Sequence, residues 1–365
     1  MDHERQHQLL STPIERFDPK AKLSLPKLFS KLEKTGGQPR KFAEAYTLWK
    51  EMLGQKRTIC CATAGAPVPF GLGPTIAAMI ENRWIDELTI PGSQLGHDLV
   101  ETLGGAHYQG TTAPIDPELV DNGIVRFWDT FGIEDELKLG DEIIKDLVGS
   151  LDGKSMTSRE YIFRLGKALI PHAKQDGILT TAAKNNFPIY CPGIADSVVG
   201  TDVAEVRFKY GSKIMFDVAK DDLELTMIAA LTEDLDARTS MLIFGGGWTR
   251  NWTQQAQACM YMIGREKTAK GHAEAMRFSF DPAETGGLSG STISEGISWR
   301  KYATDVKSVE SNIDSNLAQA MLVNALEMEK PQRPWKLDYV QEDDGSLTVK
   351  DPSGSYNLQE YFKFS

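Results

Sequence analysis

Between Gly286 and Tyr302 the chain reads GGLSGSTISEGISWRKY, and the residue types in this stretch suit chemistry on a bound cation. Gly286, Gly287 and Ser289 belong to a glycine/serine loop whose backbone can approach a ligand closely. Glu295 can neutralise an amine, and Trp299 offers a flat apolar face for stacking or a cation–π contact. Lys301 carries a primary amine that becomes nucleophilic when its surroundings lower its pKa. On spacing alone a plain loop, a core tryptophan and a solvated lysine are the commoner arrangement. Two further candidates carry the same ambiguity. His97 has the right ordinary pKa for a proton carrier, yet a histidine at a helix start is as readily satisfied by backbone. Asn251 suits the orientation of an amine and equally suits an N-cap.

These residues need a scaffold, and the chain alternates short apolar runs with glycine- or proline-rich turns and helical patterns. Arg57 to Thr63 is a buried-strand pattern followed by the turn Gly65 to Gly73 and a helix from Pro74. The same order recurs at Ile85–Ile90, Pro188–Cys191, Ile214–Val218 and Ser240–Phe244, the last running into Gly245-Gly246-Gly247 and a helix near Asn251. Such alternation predicts an α/β fold, a Rossmann-like parallel sheet with helices on both faces. In sheets of this kind ligands sit at the carboxyl ends of the strands, where most of these glycine turns fall. No GxGxxG stands in the strand–helix context, so a dinucleotide site is plausible without being fixed by motif.

The organisation expected is an N-terminal arm over residues 1–25 and a single α/β domain over 26–330. An insertion at about 100–165 and a C-terminal appendage over 331–365, read as a small hairpin, complete it. The 365 residues are 41% hydrophobic and 25% charged, ample for a core. Forty basic against 51 acidic residues give a net charge of -11, which argues against nucleic acid as a partner and permits a polycationic substrate. No apolar run reaches the ~18 residues of a membrane span and the polar start has no signal-peptide core, so the expected location is cytoplasmic. Cys60, Cys61, Cys191 and Cys259 form no CxxC pair, and His3 and His7 have no third ligand nearby, so neither a disulfide framework nor a metal site is expected.

The run SGSTISEGISWRK resembles the lysine-bearing motif of the deoxyhypusine synthase superfamily, in which the lysine follows a tryptophan by two residues. Further segments are similar in the same order: Gly92 to Tyr108 with His97-Asp98, Ala195-Asp196-Ser197, Gly245 to Gly247 followed by Asn251 and Gln254-Gln255, and Asp314. The likeness spans roughly residues 40 to 330 and is strongest to the bacterial, homospermidine-synthase-type branch. It implies NAD as cofactor, contacted by Asp196, Asp314, Gly286 and Gly287, and a polyamine such as spermidine as donor. Lys301 is then the covalent catalyst and His97 a proton carrier, with Glu295, Trp299, Asn251 and Ser289 holding substrate. The implied reaction passes a 4-aminobutyl group through a lysine imine to an amine, with putrescine giving homospermidine. The alternatives are a translation-factor lysine as acceptor, and an idle relative that only binds NAD or polyamine. The resemblance also implies a homotetramer with sites between subunits.

Departures accompany the likeness. Thr285 to Gly290 stands where eukaryotic synthases carry Asp-Gly-Ser-Asp-Ser-Gly, so two acids are missing. Arg300 replaces a usual glycine and either depresses the Lys301 pKa or points outward. Ala66 to Phe70 lacks the asparagine and serine of the eukaryotic cofactor loop.

Overall fold

The structure is a computed structural model that describes residue 10 and residues 12–362. His3 and His7, with the rest of residues 1–9, residue 11 and the last three residues, lie outside the described residues. Six parallel strands form the central sheet: β1 (Arg57–Thr63), β2 (Glu87–Thr89), β3 (Ile189–Tyr190), β4 (Arg238–Phe244), β5 (His272–Phe278) and β6 (Tyr302–Ser311). Their spatial order is β6-β5-β4-β1-β2-β3. This is the doubly wound order of dinucleotide-binding sheets, with the direction of winding reversing between β1 and β4.

The apolar runs of β1 and β4 are buried on both faces, as a covered parallel sheet requires. Alternate residues serve opposite layers. Ile59, Cys61, Leu242, Phe244, Met276 and Phe278 join one core cluster with helix α1 (Gly37–Leu53), where Trp49 meets the Phe244 ring with centroids 6.1 Å apart. Cys60, Ala62, Met241, Ile243 and Ala275 form a cluster with Tyr302 on the other face. Helix α2 (Gly73–Glu81) follows β1, α3 (Gly92–Thr102) follows β2, α4 (Val198–Tyr210) follows β3, and α5 (Val218–Asp234) precedes β4. Helix α6 (Gly247–Met262) follows β4, the short α7 (Ile293–Ser298) precedes β6, and α8 (Ser315–Glu329) follows it.

The expected strands at β1, β2, β3 and β4 are present, with β2 and β3 shorter than their apolar runs. The run Ile214–Val218 departs from expectation: only Met215–Phe216 is extended, and it pairs with Ser155–Met156 in a separate two-stranded sheet. Within the 100–165 stretch, α3 continues to Thr102 and a three-stranded antiparallel sheet follows (His107–Gln109, Ile124–Phe127, Thr130–Ile133). The buried helix Ser158–Leu169 then rejoins the main core.

The C-terminal segment folds as three antiparallel strands over 338–357 rather than one hairpin. Leu337, Tyr339, Leu347, Val349 and Leu358 share a buried cluster with Leu225, Ile228 and Leu231 of α5. Arg159, 1% exposed, donates to Glu224 and also to Gln341 Oε1 and Gly345 O, both at 2.8 Å. The tail is therefore sewn to the core by a desolvated arginine as well as by apolar packing.

Candidate active site

Lys301 stands at the entry to β6, immediately after the turn that ends α7. Arg300, at φ 61°, makes the reversal, and the following Tyr302 is buried beneath the sheet. Lys301 is itself only 9% exposed. Its Nζ donates to Asn251 Oδ1 at 2.6 Å, a contact between the second turn of α6 and the entry to β6. Burial lowers the Lys301 pKa first, the Arg250 guanidinium lowers it further, and Glu295 opposes both. The amine is thus biased toward its neutral, nucleophilic form while one lone acceptor holds it in place.

The sequence reading missed Arg250, which no local pattern marks as a buried cation. It is 2% exposed, and its Nη1 donates to the carbonyls of Leu288 and Ser291, pinning the glycine/serine loop against α6. Gln254, one turn further along α6, donates to the Tyr302 hydroxyl at 2.6 Å. Consecutive residues at the entry to β6 are therefore gripped by one helix, Lys301 by Asn251 and Tyr302 by Gln254. Arg300 points away from this centre, its guanidinium 4.4 Å from the Tyr261 ring centroid, which decides between its two sequence readings.

Trp299 is exposed, with its ring centroid 5.9 Å from Lys301 Nζ, and is not a core residue. Glu295 is exposed on the first turn of α7, where its backbone N–H is capped by Thr292 Oγ1 at 3.1 Å. Lys301, Asn251, Trp299 and Glu295 therefore form one neighbourhood.

Ser289 and Asp314 belong to a second one. A cleft of about 480 Å³ opens at the carboxyl ends of β1, β2, β4, β5 and β6, lined by Gly65, Ser93, Gly245–Gly247, Ser289 and Asp314 among others. It sits at the switch point of the sheet, where this architecture takes a nucleotide. The glycines are required there by contact. A Cβ on Gly246 would lie 2.6 Å from Ser289 Cα, and Gly245, at φ 94°, would place one 2.9 Å from Ala64 Cβ. The amino end of α6 has no side-chain cap, so its free N–H groups face the cleft and suit a pyrophosphate. Asp314 caps α8, accepting from Leu317 N at 2.8 Å, and presents its carboxylate at the cleft edge. These residues fit a dinucleotide.

Four expected residues lie elsewhere. Gly286, at φ 68°, and Gly287 are exposed on the loop and do not line the cleft. Asp196 is exposed in the turn after β3, its N–H bonded to Gly193 O at 3.0 Å. His97 is 7% exposed on α3, where Nδ1 meets His107 Nε2 at 3.0 Å and His107 Nδ1 meets Glu101 Oε1 at 2.9 Å. Burial, then the neighbouring His107, pushes the His97 pKa down to about 4. No hydrogen bond connects it to the lysine neighbourhood among the described residues.

With this geometry in place, comparison with known proteins is informative. The family model for deoxyhypusine synthase matches residues 27–326. The chain belongs to the deoxyhypusine synthase family. It is 34% identical over 318 residues to the probable deoxyhypusine synthase 2 of Methanosarcina mazei, covering 87% of this chain and 90% of that one. It is 33% identical over 296 residues to the probable deoxyhypusine synthase 2 of Archaeoglobus fulgidus, covering 81% and 95%. A deoxyhypusine synthase-like protein of Elusimicrobium minutum is 33% identical over 270 residues, 73% of this chain and 70% of the relative. A crystal structure from Entamoeba histolytica assigned to deoxyhypusine synthase superposes with a TM-score of 0.56 at 18% identity, over 88% of this chain and 98% of that one, and shows the shared fold. The chain is thus a deoxyhypusine-synthase-like transferase with an α/β fold.

Proposed function

We propose that the protein transfers a 4-aminobutyl group from a polyamine such as spermidine to an amine acceptor through an imine on Lys301, with NAD as the bound cofactor. The observation that carries this reading is the buried Lys301, held at 2.6 Å from Asn251 and depressed in pKa by burial and Arg250. Gly245–Gly247, the amino end of α6 and Asp314 would hold the dinucleotide. When bound, NAD supplies the hydride acceptor that makes the amine carbon electrophilic and the hydride that restores it. The chain's own residues do the rest. Neutral Lys301 Nζ attacks the electrophilic carbon and 1,3-diaminopropane departs, leaving the four-carbon amino group on the lysine. Asn251 aims the lysine, Trp299 flanks it, and Glu295 offers a carboxylate to the cationic substrate.

The acceptor we favour is putrescine, giving homospermidine, because His97-Asp98, Asn251 and the Gly-Gly-Leu-Ser-Gly run from Gly286 resemble the motifs of the branch that uses a small amine. A second reading, a lysine of a translation factor, is favoured by the names of the archaeal relatives. The assay is the purified protein with NAD and spermidine, with and without putrescine, the amines read by mass spectrometry beside Lys301→Ala. Homospermidine formed only by the protein with Lys301 is the expected result. Diaminopropane released without a small product points to the protein acceptor, and absence of NAD-dependent polyamine turnover refutes the transferase reading.

A further inference from the structure

Beside the turn that delivers Lys301 lies a separate cavity of about 540 Å³, and three cations line it, Arg238, Lys270 and Arg300. Lys301, Asn251 and Gly245–Gly247 do not, so it is neither the nucleophile's neighbourhood nor the cleft at the strand ends. Its walls come from separate parts of the fold. Arg238 opens β4, Lys270 precedes β5, and Arg300 and Thr304 flank the entry to β6. A bulge makes the room. The β5–β6 register passes from His272 opposite Tyr302 to Glu274 opposite Lys307, so residues 303–306 face Ala273 alone and leave the ladder.

The charges here do not balance. Buried Glu233 reaches Lys270 Nζ at 3.4 Å and Arg238 Nε at 3.7 Å, so one carboxylate serves two cations. Arg238 Nε is buried without a hydrogen-bond partner, while Nη2 donates to the Gly271 carbonyl at 3.1 Å. Arg300 lays its guanidinium over the Tyr261 ring and pairs with no carboxylate among the described residues. Asp305 is the one acid lining the cavity, and it is exposed. Two guanidinium groups and an ammonium, gathered on a chain of net charge -11, complement an oxyanion and disfavour a polycation. We propose that this cavity binds a phosphate group, held by Arg300 and Lys270 with Arg238 behind them. Its volume lies in the range of small-molecule sites, about 300–1,000 Å³, and Ile297 and Ala303 offer apolar surface to a group esterified to the phosphate. A ligand seated there touches the turn that carries Lys301 without touching Lys301 itself.

The test uses the full chain, titrated calorimetrically at constant ionic strength with inorganic phosphate and, separately, with phenyl phosphate. Both titrations are run with and without saturating NAD, which occupies the cleft at the strand ends. Arg300→Gln and Lys270→Gln each remove one cation, and Arg300→Lys restores the charge without the planar fork. Phosphate affinity is expected to fall about five- to tenfold in each glutamine variant, as for one exposed charged hydrogen bond, and to recover in part in Arg300→Lys. Urea unfolding reports that each variant is folded. Tighter binding of the ester identifies a phosphorylated small molecule as the ligand, and tighter binding of inorganic phosphate identifies the free ion; either supports the site. Affinity that is equal in wild type and both glutamine variants overturns it. So does binding that disappears when NAD is present, since the anion then sat in the other cleft, and so does failure of both probes to bind. No turnover enters the measurement, so the outcome is independent of the transferase reading.

Discussion

If the Lys301–Asn251 contact sets the state of the nucleophile, removing the acceptor must move the lysine's titration in a definite direction. Asn251 Oδ1 accepts from Nζ at 2.6 Å, which stabilises the ammonium form against the pull of burial and Arg250. A hydrogen bond to a charged group contributes about 1.5–3 kcal/mol. Water replaces part of that contact when the amide is lost, because the site opens into a groove beside Asn251. Keeping about half leaves roughly 0.8–1.5 kcal/mol, about half to one pKa unit. The Lys301 pKa, already below the ordinary lysine value, is therefore expected to fall by about half to one further unit in Asn251→Leu. Arg250→Gln is expected to raise it, since a like charge is removed. Competitive labelling of lysines with a soluble acylating reagent from pH 6 to 11, read peptide by peptide, measures this without any turnover. A wild-type Lys301 that titrates with the exposed lysines, or an upward shift in Asn251→Leu, refutes the account of how the nucleophile is activated.

Three other outcomes are expected. Gly246→Ala, whose new Cβ would sit 2.6 Å from Ser289 Cα, forces the loop off the glycine turn and weakens NAD binding about tenfold or more by calorimetry, with spermidine binding retained. Tyr302→Phe strips the buried Gln254 amide of its 2.6 Å partner and lowers stability by about 1–3 kcal/mol in urea unfolding, a loss reduced when Gln254→Leu is added. His272 is fully buried with neither ring nitrogen bonded, and burial pushes its pKa down to about 3. The unfolded chain, with a histidine pKa near 6.5, then binds a proton that the folded one refuses, so this histidine's share of stability is lost as pH falls from about 6.5 towards 3. The stability gap between His272→Leu and wild type should therefore widen in the variant's favour on acidification, while the carboxylates Asp98 and Asp221, both raised to about 7, titrate alike in the two proteins.

How much of this was legible in the sequence follows from where polar groups are buried. β1 and β4 announced themselves because their interiors are nearly all apolar. β5 did not, because it carries Glu274 and Arg277 at positions that are 8% and 5% exposed. Those charges are tolerable only because Arg57 grips Glu274 at 2.7 and 2.8 Å and Glu310 meets Arg277 at 2.9 Å, partners from other strands that no local pattern reveals. β6 is an edge strand and half exposed, so its polar residues read as loop. For the site, the motif resemblance singled out Lys301 and its neighbours, while the depression of its pKa depends on burial and on Arg250, 51 positions earlier and indistinguishable in sequence from a surface arginine.

The cleft at the strand ends and the nucleophile share one element, and that has a mechanical consequence. Helix α6 begins at Gly247 with its free N–H groups in the cleft at the carboxyl ends of the strands, contacts the lysine from Asn251 one turn later, and walls a groove between α5 and α6 as far as Met262. Hydride acceptor and nucleophile would both be registered to a single 16-residue rod. A substitution that rotates or tilts this helix should therefore damage cofactor binding and the placement of Lys301 together. One at its exposed far end, such as Met262, should touch the groove alone. Arg250 and Gln254 tie the same rod to the loop and to Tyr302, so the helix cannot move without carrying Lys301 with it. In the proposed reaction a hydride leaves and returns to one carbon while that carbon changes its amine partner, and α6 would hold the fixed spacing this needs.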